Sequence, residues 1–422
     1  MTVDVVTFGC RLNIHESEAI KRAAEQAGRD NLIVFNTCAV TAEATRQARQ
    51  SIRRLRRDRP DATIVVTGCA AQIEPERFAA MPEVDRVIGN AEKMQPEIWR
   101  DERNETVPAF GIDIGAKATV GDIMTVRETA PFLLDGFDQR TRAFIKVQDG
   151  CDHRCTFCVI PFGRGNSRSM PMGAVVDQVM RFVEAGVKEA VLTGVDISSY
   201  GADLPGAPTL GTLVAQVLKH APTLPRLRLS SIDVAEIDDR LLDAFANEPR
   251  LMPYLHLSLQ AGDDLILKRM KRRHSRAQAI EFCARLRQVR PDIVFGADLI
   301  AGFPTETDDQ FARSLDLVDE CGLTHLHVFS YSPRDKTPAA RMPQVKREVI
   351  KDRARHLIAT GDKARRHHLA RLVGSTQSVL TEANGVGRAE DFSLVKFPVA
   401  PTRGELMQVR IAGDDGERLI AA

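Results

Sequence analysis

Six of the eight cysteines stand in two sets of three, and their spacing constrains the fold of this 422-residue chain more than any other feature. Cys10, Cys38 and Cys69 lie 28 and 31 residues apart, each gap close to one βα unit of about 30 residues. Each closes a short apolar run: VDVVTFGC (3–10), LIVFNTC (32–38) and TIVVTGC (63–69). Helical patterns fill the gaps, one from Glu16 to Gly28 with Ile20, Ala23, Ala24 and Ala27 on one face, another from about Thr41 to Arg59. A fourth strand is expected at DRVIGN (85–90). A βαβαβ order makes parallel strands, whose C-terminal ends form the edge at which open α/β sheets bind ligands. A single cysteine is most often a small buried apolar residue. Three in equivalent positions favour a shared metal, and three thiolates suit an iron–sulfur cluster with one iron lacking a protein ligand. Zinc would more usually complete four ligands.

The second set is local. Residues 151–158 read CDHRCTFC, directly after the strand-like AFIKVQDG (143–150). Cys-x3-Cys-x2-Cys lets one loop wrap three corners of a cubane, and the open fourth iron is where a substrate or cofactor can chelate. A zinc knuckle completed by His153 is the competing reading. Further strand patterns follow between helices: EAVLTG (189–194), RLRLSS (226–231), LHLSLQ (255–260), IVFGADLI (293–300) and HLHVFSYS (325–332). With 143–150 they make six βα units. In a βα barrel the chemistry sits at the C-terminal mouth, here the cysteine loop, Thr193-Gly194, Ser230-Ser231, Ser258 to Gln260 and Ser330-Tyr331. From Gly374 the pattern turns to short strands, and the motif-poor stretch from about Gln95 to Arg140 reads as a linker. Cys283 and Cys321 fall inside helical patterns and read as core.

Composition narrows the class. Hydrophobic residues make up 43% and charged residues 27%, which excludes a disordered or collagen-like chain, and the cysteines are too sparse for a disulfide scaffold. The longest apolar run, Ala62 to Ala71, is interrupted by Thr63, Thr67 and Gly68 and falls well short of the ~18 residues of a membrane span. The opening residues read as a strand, not a secretory leader, so a cytoplasmic location is expected. The net charge of +1 conceals three basic runs. Residues 43–59 carry seven arginines against two acids, KRMKRRHSR (268–276) has six basic residues and no acid, and 341–372 holds ten basic and three acidic residues. Such runs are usually solvated faces, yet concentrated patches are also how proteins meet nucleic-acid phosphates.

CDHRCTFC resembles the signature of the radical S-adenosylmethionine (SAM) enzymes. Together with FGCRLNIHESEA, FNTCAVTAEATRQ, VTGCAAQ, LTGVDISSYG, HLHLSLQAGDDLILKRMKR, DLIAGFPTET and FSYSPRDKTPAARM, it makes the whole chain similar to the radical SAM methylthiotransferases. Among their branches it is most like the MtaB type, which acts on N6-threonylcarbamoyladenosine in tRNA. The alternatives are the branches acting on isopentenyladenosine in tRNA or on a ribosomal-protein aspartate. Lys336 stands where that family's motif more often has glycine, and His15 where tyrosine is more usual.

The resemblance implies an α/β fold in three parts: an N-terminal parallel α/β domain with its linker (1–120), a partial (βα)6 radical SAM barrel (137–370) and a small TRAM-like RNA-binding β-barrel (371–422). It implies two 4Fe-4S clusters, one on Cys10, Cys38 and Cys69, the other on Cys151, Cys155 and Cys158, with SAM chelated at the second. Phe157 then takes the aromatic position beside the adenine, and Gly194, Ser231 and Gln260 are expected near SAM. One SAM would methylate sulfur held at the first cluster, and a second would be cleaved to a 5′-deoxyadenosyl radical. Implied partners are the tRNA anticodon stem-loop, an electron donor and a sulfur source, with no membrane. A non-enzymatic iron–sulfur carrier and a zinc-stabilised RNA-binding protein are the readings from other classes.

Overall fold

The structure is a computed structural model and describes residues 2–100, 117–129 and 141–422. Strands β1 (Val3–Thr7), β2 (Leu32–Thr37), β3 (Thr63–Gly68), β4 (Arg86–Ile88) and β5 (Ala118–Thr119) form one sheet in chain order. Every pairing in it is parallel. The two-residue period of a strand sorts its side chains. Ile33, Phe35, Ile64 and Val66 join Ile52 of helix α2 (Ala42–Asp58) in one core, while Leu32, Val34 and Val65 join Ile20 and Ala24 of α1 (Arg11–Gln26) in another. The α1 helix starts five residues before the expected Glu16, because Leu12, Asn13 and His15 of the polar-looking RLNIH are already buried. Short helices α3 (Cys69–Ile73) and α4 (Pro75–Ala79) follow β3. The stretch read as a linker contributes β5 to this sheet; its 108–115 run lies outside the described residues.

The second part is the expected half-open barrel. Strands β6 (Arg142–Lys146), β9 (Glu189–Thr193) and β10 (Arg226–Leu229) form one parallel sheet, and β11 (Tyr254–Gln260), β12 (Val294–Ala301) and β13 (Leu323–Ser330) a second. An isolated bridge between Ile232 and Leu257 joins them. A small ribbon, β7 (Gln148–Asp149) with β8 (Arg168–Ser169), brackets the cysteine loop and helix α5 (Ile160–Arg164). Helices α6 (Met172–Glu184), α7 (Leu210–His220), α8 (Asp239–Asn247), α9 (Asp264–Met270), α10 (Arg276–Val289) and α11 (Asp308–Glu320) alternate with the strands. Cys283 and Cys321 are buried in the core beneath them.

Helix α12 (Arg347–Leu372) leads into a closed five-stranded barrel of β14 (Thr376–Thr381), β15 (Val386–Ala389), β16 (Leu394–Lys396), β17 (Leu406–Asp414) and β18 (Leu419–Ala421). This barrel is seated against the N-terminal end of β10. Arg226 donates to the carbonyls of Ser378 (2.7 Å) and Arg388 (3.1 Å), and Arg228 to those of Ala389 and Glu390 (both 2.7 Å). Both arginines are buried, so backbone oxygens of one unit satisfy cations of the other.

Candidate active site

All six cysteines of interest occupy strand C-terminal ends or the loop beyond one. Cys10 is the N-cap of α1, Cys38 directly follows β2, and Cys69 opens α3 directly after β3. Gly9 comes so close to Cys38 that a Cβ there would lie 2.7 Å from its Sγ, and its φ of 93° favours glycine independently. Burial, with the Cys69 and Cys10 thiols adding to it, pushes the Cys38 thiol up to about 11. Cys69 accepts from Arg164 Nε at 3.3 Å and from Asn90 Nδ2 at 3.7 Å.

The loop of Cys151, Cys155 and Cys158 is pinned from several sides. Thr156 donates its N–H to the Met270 carbonyl at 3.1 Å and accepts one from Ala339 at 2.9 Å. Cys158 Sγ accepts the Ile160 N–H at 3.4 Å, and Cys155 Sγ lies 3.6 Å from Arg272 Nη1. Burial pushes the Cys158 thiol up to about 12, with contributions from Cys155 and from Cys69 of the other set. That influence reflects distance: Gly163, five residues after Cys158, packs so that a Cβ there would be 3.1 Å from the Cys69 Cβ. The fold therefore brings both sets to one locality.

No disulfide joins any of these cysteines. Loss of solvation pushes the Cys10, Cys38, Cys151 and Cys158 thiols up, and a metal reverses this by deprotonating coordinating thiols outright. The donor sets fit iron–sulfur clusters. His153 stands beside Cys151 and Asp196, with ligand atoms within 4.8 Å of one another, and its Nε2 lies 2.8 Å from Asp196, 3.6 Å from Glu236 and 2.6 Å from Arg273. The two carboxylates raise its pKa to about 10, which favours the cation over the neutral ligand form.

Comparison with known proteins agrees with this geometry. The radical SAM superfamily matches residues 145–318, and a family described as uncharacterized protein family UPF0004 matches residues 2–89. The threonylcarbamoyladenosine tRNA methylthiotransferase MtaB of Rickettsia prowazekii is 49% identical, over 97% of this chain and 94% of that protein. MtaB of Bacillus subtilis is 34% identical over 90% and 85%. The tRNA-2-methylthio-N(6)-dimethylallyladenosine synthase of Erythrobacter litoralis is 33% identical over 97% and 94%. The chain belongs to the radical SAM methylthiotransferase family. Among solved structures, the radical SAM methyltransferase TsrM of Kitasatospora setae shares the fold with a TM-score of 0.55 and 15% identity, covering 89% of this chain and 70% of that one. As a radical SAM enzyme, the methylthiotransferase uses SAM and a 4Fe-4S cluster.

Four expected SAM neighbours lie at or beside the mouth. Phe157 stands edge-on to Phe303 at 6.4 Å. Gly194 follows β9 and is packed against Gln148, whose Oε1 receives the N–H groups of Val195 and Asp196 at 3.0 and 2.8 Å. Ser231 follows β10 half-buried, and Gln260 ends β11 with φ of 70°. Neighbouring Ser230 Oγ is buried without a hydrogen-bond partner, leaving a polar atom for a ligand to satisfy.

Sequence reasoning missed the hub between the sets. Arg164 Nη1 donates to Glu16 (2.6 Å) and Asp149 (3.1 Å), and Nη2 to Asn13 (2.6 Å) and Glu16 (2.8 Å), while Nε serves Cys69. Lys93 adds a second cation on Glu16 at 2.6 Å. The Glu16, Lys93 and Arg164 side chains are all almost completely buried. A charged residue inside the apolar IPFG-R context of α5 was the available signal.

The run at 268–276 reads differently in the structure. Arg269 serves Thr305, Arg272 pairs with Asp233 at 2.8 Å beside Cys155, Arg273 pairs with Glu236, and Arg276 pairs with Glu320. Its arginines stitch the barrel mouth together instead of forming a solvated patch. In 43–59 and 341–372 part of the charge is likewise consumed, as by Arg59 with Asp4 and Arg353 with Glu306, while Arg54 and Arg57 remain exposed. Beside the cysteine loop, a cleft of ≈ 740 Å³ is lined by His153, Arg154, Tyr200, Glu236, Lys271 and Arg273. Among the described residues no helix is long and apolar enough to cross a membrane.

Proposed function

We propose that this enzyme methylthiolates C2 of N6-threonylcarbamoyladenosine beside the anticodon of tRNA, using two 4Fe-4S clusters and two SAM molecules. The observation that carries the reading is the approach of two three-thiol sets around Arg164, one at the edge of the N-terminal sheet and one at the barrel mouth. The names of the similar proteins support the nucleoside, with the MtaB relative from Rickettsia more similar than the dimethylallyladenosine synthase from Erythrobacter. Cys151, Cys155 and Cys158 would hold the cluster that, with SAM bound, supplies a hydrogen-abstracting radical. Phe157, Gly194, Ser231 and Gln260 would border the SAM. Cys10, Cys38 and Cys69 would hold the sulfur-bearing cluster, and Arg164 would fix the spacing of the two sets. The functional division would follow 1–120, 137–370 and 371–422, with tRNA, an electron donor and a sulfur source as partners.

Nucleoside analysis of tRNA from a deletion strain tests this. The expected result is loss of 2-methylthio-N6-threonylcarbamoyladenosine with the unmethylthiolated nucleoside accumulating. An unchanged level in a strain with no redundant enzyme overturns the reading, and loss of methylthio-isopentenyladenosine instead moves it to the sister branch.

A further inference from the structure

At the base of the half-barrel, away from the cysteine loop, four guanidinium groups surround one ring. Arg11, Arg142, Arg228 and Arg388 lie 5.6, 5.8, 5.5 and 4.2 Å from the centroid of Phe392, which is stacked on Tyr254 at 4.5 Å. They come from all three parts of the chain: α1, the first strands of the barrel, and the C-terminal barrel. Their charge is incompletely matched. Glu189 pairs with Arg228 at 2.9 Å and approaches Arg142 at 3.9 Å and Arg226 at 3.7 Å. Glu382 pairs with Arg142 at 2.9 Å and Arg388 at 3.4 Å. Among the described residues, Arg11 has no carboxylate within ion-pair distance; its guanidinium lies over the face of Phe392, with Glu189 acting on it from farther off.

Arg11 is half-buried, and a guanidinium drawn partly out of water without a close counter-ion is costly and ordinarily paired. Nearby polar groups do not supply the missing anion. Asp298 is already shared by His256 (3.0 Å) and His327 (3.2 Å), and Tyr254 OH is 3.0 Å from His256 Nδ1. Arg11 directly follows Cys10, a member of the first cysteine set. A threonylcarbamoyl group ends in a free carboxylate, whereas an isopentenyl group is wholly apolar. Arginine is suited to this anion because its planar fork matches a carboxylate in two parallel hydrogen bonds.

We propose that Arg11, backed by Arg142, Arg228 and Arg388, receives the carboxylate of the N6-threonylcarbamoyl substituent and so selects this adenosine over one with an apolar substituent. The proposal rests on the tRNA reading above and names the residue that reads the nucleoside. Arg11 acts in recognition and takes no part in bond making.

The test uses the full-length protein, reconstituted anaerobically with iron and sulfide, and three synthetic anticodon stem-loops. One carries N6-threonylcarbamoyladenosine, one its methyl ester, and one unmodified adenosine. The wild type is expected to bind the acid at least about tenfold more tightly than the ester, since a charge-assisted pair is at stake. Arg11→Gln should bind all three alike, Arg11→Lys should keep part of the preference, and Arg388→Gln should reduce it. Iron content and circular dichroism check that each variant is folded, and the lysine and Arg388 variants keep the test open if Arg11→Gln is not. A preference that survives Arg11→Gln overturns the inference. So does equal weakening toward all three RNAs, which would assign Arg11 to a backbone phosphate. If the wild type fails to methylthiolate threonylcarbamoyladenosine tRNA, the tRNA reading falls; if it succeeds while the variant keeps its preference, only this inference falls.

Discussion

Cys151, Cys155 and Cys158 come from one eight-residue loop, whereas Cys10, Cys38 and Cys69 come from three strand ends that meet only once the N-terminal sheet has formed. The loop needs local closure and a few anchors on α9 and the segment at Ala339. The sheet-edge set needs two βα crossovers, and long-range closure must be paid before contacts reward it. A local set tolerates damage elsewhere, while a dispersed set reports on the integrity of its whole domain.

The largest effect expected from this contrast is chemical. Replacing Cys151, Cys155 and Cys158 by alanine should abolish formation of 5′-deoxyadenosine from SAM. Replacing Cys10, Cys38 and Cys69 should spare that reaction and stop methylthio transfer, as nucleoside analysis would show. Equal behaviour of the two triple variants would end the proposed division of labour.

Arg164→Met should come next, because it removes the cation that joins Glu16 and Asp149 in the interior and leaves Glu16 to Lys93 alone. Removing one partner of a buried ionic network typically costs about 3–5 kcal/mol. Urea titration should show that loss, and iron analysis should show the sheet-edge set depleted more than the loop. Full stability in the methionine variant would mean that the hub matters less than its burial indicates.

Two glycines allow a more balanced comparison. Gly68 has φ of 96°, and a Cβ there would press on the Thr37 backbone beside Cys38. Gly150 has φ of 71°, and a Cβ there would press on the Asn166 carbonyl beneath Cys151. Each alanine substitution should cost about 1–3 kcal/mol from crowding and backbone strain. Gly68→Ala should lower iron in the sheet-edge set and Gly150→Ala in the loop, and the reverse pattern would break the comparison.

The smallest effect is acid sensitivity on the sheet side. His15 is buried and its Nδ1–H donates to the Phe144 carbonyl (2.9 Å); burial holds its pKa at about 4, below the 6.5 of an exposed histidine. The unfolded chain therefore binds the proton first, and stability falls as pH drops from 6.5 toward 4. By pH 5.5 the loss from this group is about 1 kcal/mol. His15→Gln should flatten that part of a pH–stability curve; an unchanged slope would assign the acid sensitivity elsewhere.

The sequence made the cysteine sets and the strand order legible because both depend on spacing, which the chain carries directly. Arg164, Glu16 and Lys93 were hidden for a physical reason. Charged residues are almost always solvated, and the 148-residue separation of Glu16 from Arg164 leaves no local trace of their pairing. In 268–276 the sequence carries the basic run but not the partners that Arg269, Arg272, Arg273 and Arg276 each find on other segments. Lys336 shows a subtler case: its φ of 71° explains why a glycine would be at ease there, a conformation that no propensity pattern in the surrounding residues announces.

The seating of the C-terminal barrel changes how a shortened protein should be interpreted. Cutting the chain before β14 would take away the carbonyls that receive Arg226 and Arg228 and would lift Phe392 from Tyr254. The base of the half-barrel would open to water with its cations unsatisfied. A truncation that lost activity would therefore report a breached floor as much as a missing grip on RNA, and point substitutions on the outer face of that small barrel are the cleaner way to separate the two.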